Sequence, residues 1–305
     1  MVDNALHGKV VIITGAGRGI GREIAILCAQ EGAAVVVNDL GGSLEGEGQD
    51  IGPAESVVAE IAAGGGKAVA DTANVADPAG AQEMIQRALN SFGRLDAVIN
   101  NAGIMRDRVF HKLSHADWKA VIDVNLHGTF NVSRAAAQHF HEQGNGSFVH
   151  FTSTSGLIGS FGQSNYSAAK MAVVGLSTSI ALDMQRYGVR SNCIAPFAWS
   201  RLTASIPAET EQERLRVERI KTMTADKIAP LVGYLCSDAS RAVTGQIFAV
   251  RKNEIFLFNQ PRPIRSVHKG DGWTIKSIED IAIPSLRRDF SPLERSAEVF
   301  NWDPI

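Results

Sequence analysis

The chain is 305 residues long, 45% hydrophobic and 20% charged, with a formal net charge of −2. That composition supports a large buried core and fits one large domain or two small ones. The near-neutral balance, with no long basic run, gives no argument for nucleic acid or an anionic membrane as the main partner, and neither is expected.

Cys28, Cys193 and Cys236 lie far apart, in apolar contexts and without a C-x-x-C pair. They read as buried thiols in a reducing compartment, not as a disulfide framework, and no metal site is expected. No apolar run is long enough to span a membrane. "MVDNALHGKVVIITG" leaves no room for a signal peptide, and "NWDPI" carries no peroxisomal or retention signal. The cytoplasm is the expected compartment.

In chain order, "KVVIIT" (9–14) is a buried strand and "GREIAILCAQEG" (21–32) a helix stopped by glycine. "AAVVVND" (33–39) is the second strand, and "PAESVVAEIAAGGG" (53–66) a helix with a proline start and a glycine stop. "KAVADT" (strand), "DPAGAQEMIQRALNSFG" (helix) and "LDAVINN" (strand) follow. Next come a long helix over about 115–142, the strand "SFVHFTS", a helix over about 165–187 and the strand "VRSNCIA". Strands alternating with helices predict βαβ units and a parallel sheet covered on both faces. Right-handed crossovers make it an α/β doubly wound sheet of Rossmann type. The alternation fades after "TGQIFAV" (244–250). Residues 1–250 are therefore expected to form one domain, with 251–305 as an appended tail.

"TGAGRGIG" (14–21) follows the first strand and opens the first helix. Glycines there allow a tight turn and let a pyrophosphate approach the backbone at a helix N-terminus. The spacing is T-G-x-x-x-G-x-G through Gly15, Gly19 and Gly21, with Ile20 between the last two; Arg18 and Ile20 count among the expected contacts. Asp39 ends the second strand, 18 residues after Gly21, where a carboxylate can accept from an adenosine ribose. A 2′-phosphate there would meet a like charge, so Asp39 favours NAD over NADP. Arg18 pulls the other way, and Asp39 has few other jobs.

In "SNYSAAK" (164–170), Tyr166 and Lys170 stand four apart with small residues between. They share a helical face. A surface helix can carry such a pair without consequence. Alternatively, the ammonium lowers the Tyr166 pKa by about 1–3 units and makes it a proton donor or acceptor near neutral pH.

Together, "TGAGRGIG", "NNAG" (100–103), "VNL" (124–126), Ser153 thirteen residues before Tyr166, and "YSAAK" resemble the short-chain dehydrogenase/reductase family over residues 5–250. "VVVNDLGG", "NNAGIMRDRVF" and "FGQSNYSAAK" narrow the resemblance to the hydroxyacyl-CoA dehydrogenase domain of peroxisomal multifunctional enzymes and related bacterial dehydrogenases. The resemblance implies an NAD-dependent oxidoreductase of lipid metabolism that interconverts a secondary alcohol and a ketone. The substrate would be a 3-hydroxyacyl-CoA or a steroid-like alcohol, and the assembly a homodimer or homotetramer.

It also implies roles. Ser153 and Tyr166 would hold the substrate oxygen, with Ser155 as an alternative at a spacing of eleven. Lys170 would hold the nicotinamide ribose and tune Tyr166. Asn125 would help hold a water linking Lys170 to solvent. Asn74 and Val75 would edge the adenine, Asn101, Ala102 and Gly103 the adenosine side, and Pro196 and Thr203 the nicotinamide and pyrophosphate side. Two places depart from the family pattern: Phe197 replaces a glycine after Pro196, and Arg251-Lys252-Asn253 stands where Asp-Gly-Gly is usual. A ketoreductase of fatty-acyl, polyketide or small-carbonyl type is the same-class alternative. A non-catalytic NAD(H)-binding sensor or scaffold is the different-class one. The tail, with Trp273, Phe290, Phe300 and Trp302 but also four prolines, is expected to be irregular, free of long helices, and packed on its own or a neighbouring subunit, partly over the substrate cleft. Arg262, Arg265 and Lys269 could there meet CoA phosphates or form a solvated edge.

Overall fold

The computed structural model describes residues 4–43, 45–199 and 210–305. Among them, β1 (Val10–Thr14), β2 (Ala34–Asn38), β3 (Lys67–Asp71), β4 (Ala97–Asn100), β5 (Gly146–Phe151), β6 (Val189–Phe197), β7 (Ile247–Arg251) and β8 (Glu254–Leu257) form one sheet in the order β3-β2-β1-β4-β5-β6-β7-β8. The first seven are parallel, and β8 returns antiparallel along β7. The order reverses between β1 and β4, the place where an open α/β sheet leaves a crevice at its carboxyl edge.

The helices that cover the sheet are α1 (Gly19–Gln30), α2 (Gly52–Ala63), α3 (Pro78–Phe92), α4 (His115–Ile122), α5 (Gly128–Gln143), the short α6 (Thr154–Leu157), α7 (Ser164–Met184), α8 (Glu211–Lys221) and α9 (Ala229–Cys236). Val11, Ile13, Val35 and Val37 pack with Ile24, Val57 and Val232 from α1, α2 and α9. Val10, Ile12 and Val36 point the other way, onto Met84, Ile85, Val132 and Phe140 from α3 and α5. Both faces of β1 and β2 are thus buried, which is why these strands read as unbroken apolar runs.

The helix expected over 115–142 is interrupted. Between α4 and α5 the chain makes a π turn, Asp123–His127, centred on Asn125. A π turn adds a residue without an obvious compositional mark, and such turns gather at functional sites. At the other end of the sheet, Lys252 takes φ +57 and, with Asn253, closes a two-residue hairpin between Arg251 and Glu254. In the tail, residues 275–289 run as a continuous helical stretch, contrary to the expectation that proline denies it length. Pro284 is accommodated because the π turn Ile278–Ala282 immediately precedes it and shifts the hydrogen-bond ladder that its missing N–H would break.

Candidate active site

The glycine loop lies at the β1–β4 switch point. Gly15 has φ +64, and a Cβ on Gly21 would fall 2.3 Å from the Gly15 carbonyl oxygen and 2.7 Å from Asn101 Nδ2. Asn101 is the brace: its Nδ2 donates to the Thr14 and Gly15 carbonyls at 3.0 Å. The main-chain N–H groups of Asn101 and Ala102 donate to Thr14 Oγ1, also at 3.0 Å. Arg18 stands at the N-cap of α1 and makes no side-chain cap, so the first N–H groups of the helix are left without a capping side chain. Those donors fit a pyrophosphate, and the cleft beside them, lined by Gly15, Arg18, Asp39, Asn74, Val75 and Asn101, fits the rest of a dinucleotide. Ile20 turns away, packing against the core on the α1 face.

Asp39 lies in this cleft but also has structural work. Its Oδ2 accepts from Gly17 N at 2.8 Å and its Oδ1 from Gly41 N at 2.7 Å. The side chain thus ties the glycine loop to the Gly-rich loop after β2. Exposed Asn74 accepts from Ala76 N, while Val75 is buried and gives its carbonyl to Asn131 Nδ2. Pro196 sits near the carboxyl end of β6, paired with Val250. Thr203 lies outside the described residues.

The other half of the site is carried by β5, α6 and α7. Ser153 caps α6 by accepting from Ser155 N at 3.1 Å, and its hydroxyl favours ionisation of the Tyr166 phenol. Tyr166 follows Asn165, whose Oδ1 accepts from Tyr166 N at 2.8 Å and whose Nδ2 donates to the Arg106 carbonyl. Lys170 is buried; its Nζ donates to the Phe151 carbonyl at 2.9 Å and lies 5.6 Å from the Tyr166 ring centroid. Asn125 is fully buried on the π turn and donates to the Ile104 and Val121 carbonyls. Its Oδ1 has no partner and points at Gly103, where a Cβ would lie 2.6 Å from that oxygen and 3.6 Å from Lys170 Nζ. Ser153, Tyr166, Lys170 and Asn125 therefore meet at one place beside the cofactor-sized cleft.

The electrostatics differ from the expectation that Lys170 lowers the Tyr166 pKa. Burial pushes Tyr166 up to about 12; the Ser153 hydrogen bond works against that shift and the Asp107 carboxylate adds to it. Burial also brings Lys170 down to about 8. The ammonium is aimed at a backbone carbonyl instead of the phenol, so desolvation wins over the pair's attraction.

Two constellations escaped the sequence. One is a buried polar chain beneath the site: Asn100 Nδ2 reaches Ser133 Oγ and His150 Nδ1, and His150 Nε2 reaches Ser191 Oγ. Because Asn100 Nδ2 can only donate, His150 Nδ1 must accept and Nε2 carries the proton. Burial takes His150 down to about 3, which agrees with a permanently neutral ring. The other constellation is Asp107, Gln163 and Ser155. Its members stand in "IMRDRVF", "FGQSNYS" and "TSTSGL", but nothing local in any of the three stretches announces that they meet.

The tail reaches the same edge. Ser296 Oγ donates to Thr154 Oγ1 at 2.7 Å, and Ser296 N to the Gly159 carbonyl. Phe300 packs edge-on against Phe197 and Phe256, with ring centroids 4.8 and 5.1 Å away. Of the three tail cations, Arg265 and Lys269 are engaged by Asp289 and Asp271.

The family model of the short chain dehydrogenases matches residues 9–214. The chain belongs to the short-chain dehydrogenase family. Its members are NAD(P)-dependent oxidoreductases. It is 44% identical to a short-chain type dehydrogenase/reductase of Mycobacterium tuberculosis, over 86% of this chain and 92% of that one. It is 42% identical to the peroxisomal multifunctional enzyme type 2 of Mus musculus over 98% of this chain, which spans only 36% of that protein. A 3-oxoacyl-[acyl-carrier-protein] reductase of Synechocystis is 37% identical over 81% of this chain. The crystal structure of a short chain dehydrogenase from Mycobacterium avium superposes with a TM-score of 0.83 at 39% identity, covering 95% of this chain and 98% of that one.

Proposed function

We propose that this short-chain dehydrogenase uses NAD to interconvert a secondary alcohol and a ketone on a 3-hydroxyacyl thioester, with Tyr166 as acid–base. The observation that carries the reading is the meeting of Ser153, Tyr166 and Lys170 beside the switch-point cleft that holds Asp39. NAD supplies the hydride acceptor when bound. Ser153 holds the substrate oxygen by hydrogen bond. The Tyr166 phenolate takes the hydroxyl proton in oxidation, and the phenol returns it in reduction. Lys170 and Asn125 line the proton's way out. Gly15, Gly19, Gly21, Asn101, Ala102 and Gly103 hold the dinucleotide, and Asp39 its adenosine ribose.

The thioester choice is supported by the named activity of the Synechocystis relative, a reductase of 3-oxoacyl thioesters. The likeness to the mouse relative runs through the tail. The domain is read as 1–250, with 251–305 as an extension walling the substrate cleft, a role supported by the Ser296–Thr154 and Phe300–Phe197 contacts. Exposed Phe130 on α5, and Met171 and Leu182 on α7, support self-association through those helices. Light scattering at micromolar concentration should therefore read a dimer or larger. Among the described residues no helix is long and apolar enough to cross a membrane, and we place the reaction in the cytoplasm. The test of function is NADH formation from NAD with 3-hydroxybutyryl-CoA, a hydroxysteroid and a sugar alcohol in parallel. Turnover confined to the last two would overturn the thioester reading.

A further inference from the structure

The connection after β2, residues 39–51, is longer than such links usually are. Asp50 N donates to the Leu40 carbonyl at 3.0 Å and closes its base. At the tip, Ser43 N donates to the Glu47 carbonyl at 2.7 Å and Gly46 N to the Ser43 carbonyl at 3.1 Å. Gly42, Ser43 and Gly46 line the same cleft as Gly15, Asp39 and Asn74. The tip is therefore a wall of that cleft.

Arg106, between β4 and α4, holds the wall in place. Its Nε and Nη2 both donate to the Glu45 carbonyl, at 3.0 and 2.8 Å. Its Nη1 lies 3.5 Å from an Asp117 carboxylate oxygen on α4, and Nη2 lies 4.0 Å from Glu47 Oε1. The Glu47 pair is long and solvated, so it adds little. The two bonds to one carbonyl, from a charged and planar donor, carry the attachment. Arg106 is itself seated firmly. Its carbonyl accepts from Nδ2 of Asn165, which is fully buried and precedes Tyr166 on α7. One arginine thus joins the wall of the cleft to the helix that carries Tyr166 and Lys170.

We propose that Arg106 is a positioning residue for the cofactor: by pinning the Glu45 carbonyl it holds the loop tip as a wall of the dinucleotide cleft, and so sets how tightly the adenosine half is retained. Arg106 has this role only if that cleft is the NAD site, the reading proposed above. Asp39, assigned there to the adenosine ribose, stands at the root of the same loop and accepts from Gly41 N. The wall therefore bears on the adenosine end. A wall already in place costs little ordering when the ligand arrives; a released one must be ordered by the ligand. A ligand that is only the adenosine half should feel the release as fully as the whole cofactor.

Two variants reach the tip from different sides. Arg106→Lys keeps a cation near Asp117 and Glu47 but loses the fork that meets one carbonyl with two nitrogens. Gly46→Ala leaves Arg106 intact. Gly46 has φ +85, and a Cβ there would lie 3.1 Å from Ile104 Cδ1, so the tip must shift. Each variant should weaken NADH and AMP about tenfold and by equal factors. The readouts are NADH fluorescence and its displacement by AMP. In the cofactor-free protein, amide hydrogen exchange should quicken over residues 41–50 in both variants and stay at the wild-type rate along β4, β5 and α7. Wild-type affinity for AMP in Arg106→Lys would overturn the proposal. So would a loss for NADH that AMP does not share, which would place the effect at the nicotinamide end. Exchange that quickens throughout the fold would also overturn it, by making Arg106 a general support. A wild type that binds neither NADH nor AMP would overturn the cofactor reading, and the role of Arg106 with it.

Discussion

At the β1–β4 switch point, directional contacts set the geometry. Asn101 grips two loop carbonyls, Thr14 Oγ1 accepts two main-chain N–H groups, and Asp39 ties Gly17 to Gly41. At the β6–β8 edge, rings do the holding: Phe197, Phe256, Phe258 and Trp302 surround Phe300, and Trp302 lies over the Arg251 guanidinium. Hydrogen bonds fix atoms within tenths of an ångström and fail when one partner is lost. Apolar contact has no preferred direction and tolerates exchange at equal volume. The first region can hold one cofactor in one pose. The second can be reshaped for another substrate without disturbing the first.

The most severe break on the directional side is Tyr166→Phe. Turnover should fall about 10³-fold, within the span of general acid–base catalysis, while NADH binding measured by fluorescence stays close to wild type. Near-normal turnover would refute the proposed chemistry.

His150 tests the buried polar chain through pH. Its folded pKa, about 3, lies below the ordinary ~6.5, so the unfolded chain binds the extra proton between those values. The stability that a neutral ring confers is full above pH 6.5 and is lost as pH falls toward 3, with a slope of up to about 1.4 kcal/mol per pH unit. Urea denaturation should show this slope in the wild type and a shallower one in His150→Asn.

On the ring side, Phe300→Ala should cost about 2 kcal/mol, less than for a fully buried phenylalanine. It should raise KM for an acyl-CoA while leaving the affinity for NADH unchanged. If KM for both rises together, the two regions are not separable. The smallest effect belongs to Asp39→Ala. The preference for NAD over NADP should narrow about tenfold, one carboxylate's worth of repulsion at about 1.4 kcal/mol. Both cofactors should bind more weakly, because Gly17 and Gly41 lose their common acceptor. A wild type that prefers NADP would reverse the weighing of Asp39 above Arg18.

The parallel sheet was legible because its two-faced apolar strands are local patterns, and the glycine loop after β1 and the Tyr166–Lys170 spacing can be read in the letters for the same reason. Sequence reading failed where the outcome depends on what the fold brings from elsewhere. The Tyr166 pKa moves up because surrounding elements bury the phenol, which spacing to Lys170 cannot report. Asp107, Gln163 and Ser155 come from three segments and meet only once β4, α6 and α7 are placed. The π turn at Asn125 looks like ordinary helix in the letters, since its extra residue changes the hydrogen-bond ladder and not the composition. Pro284 misled for the same reason.

The Lys252–Asn253 hairpin acts as a parity gate. Along β8, Phe256 turns inward to Phe300 while Ile255 and Leu257 remain exposed on either side of it. Side chains alternate along a strand, so the register set by the turn decides which set faces the rings. A slip of the pairing by one residue would turn the strand over: Phe256 would face water, and Ile255 and Leu257 would be offered to a pocket shaped for one aromatic ring. A slip of two residues would restore the facing. Slips by an even number keep the aromatic face, and odd slips dismantle it.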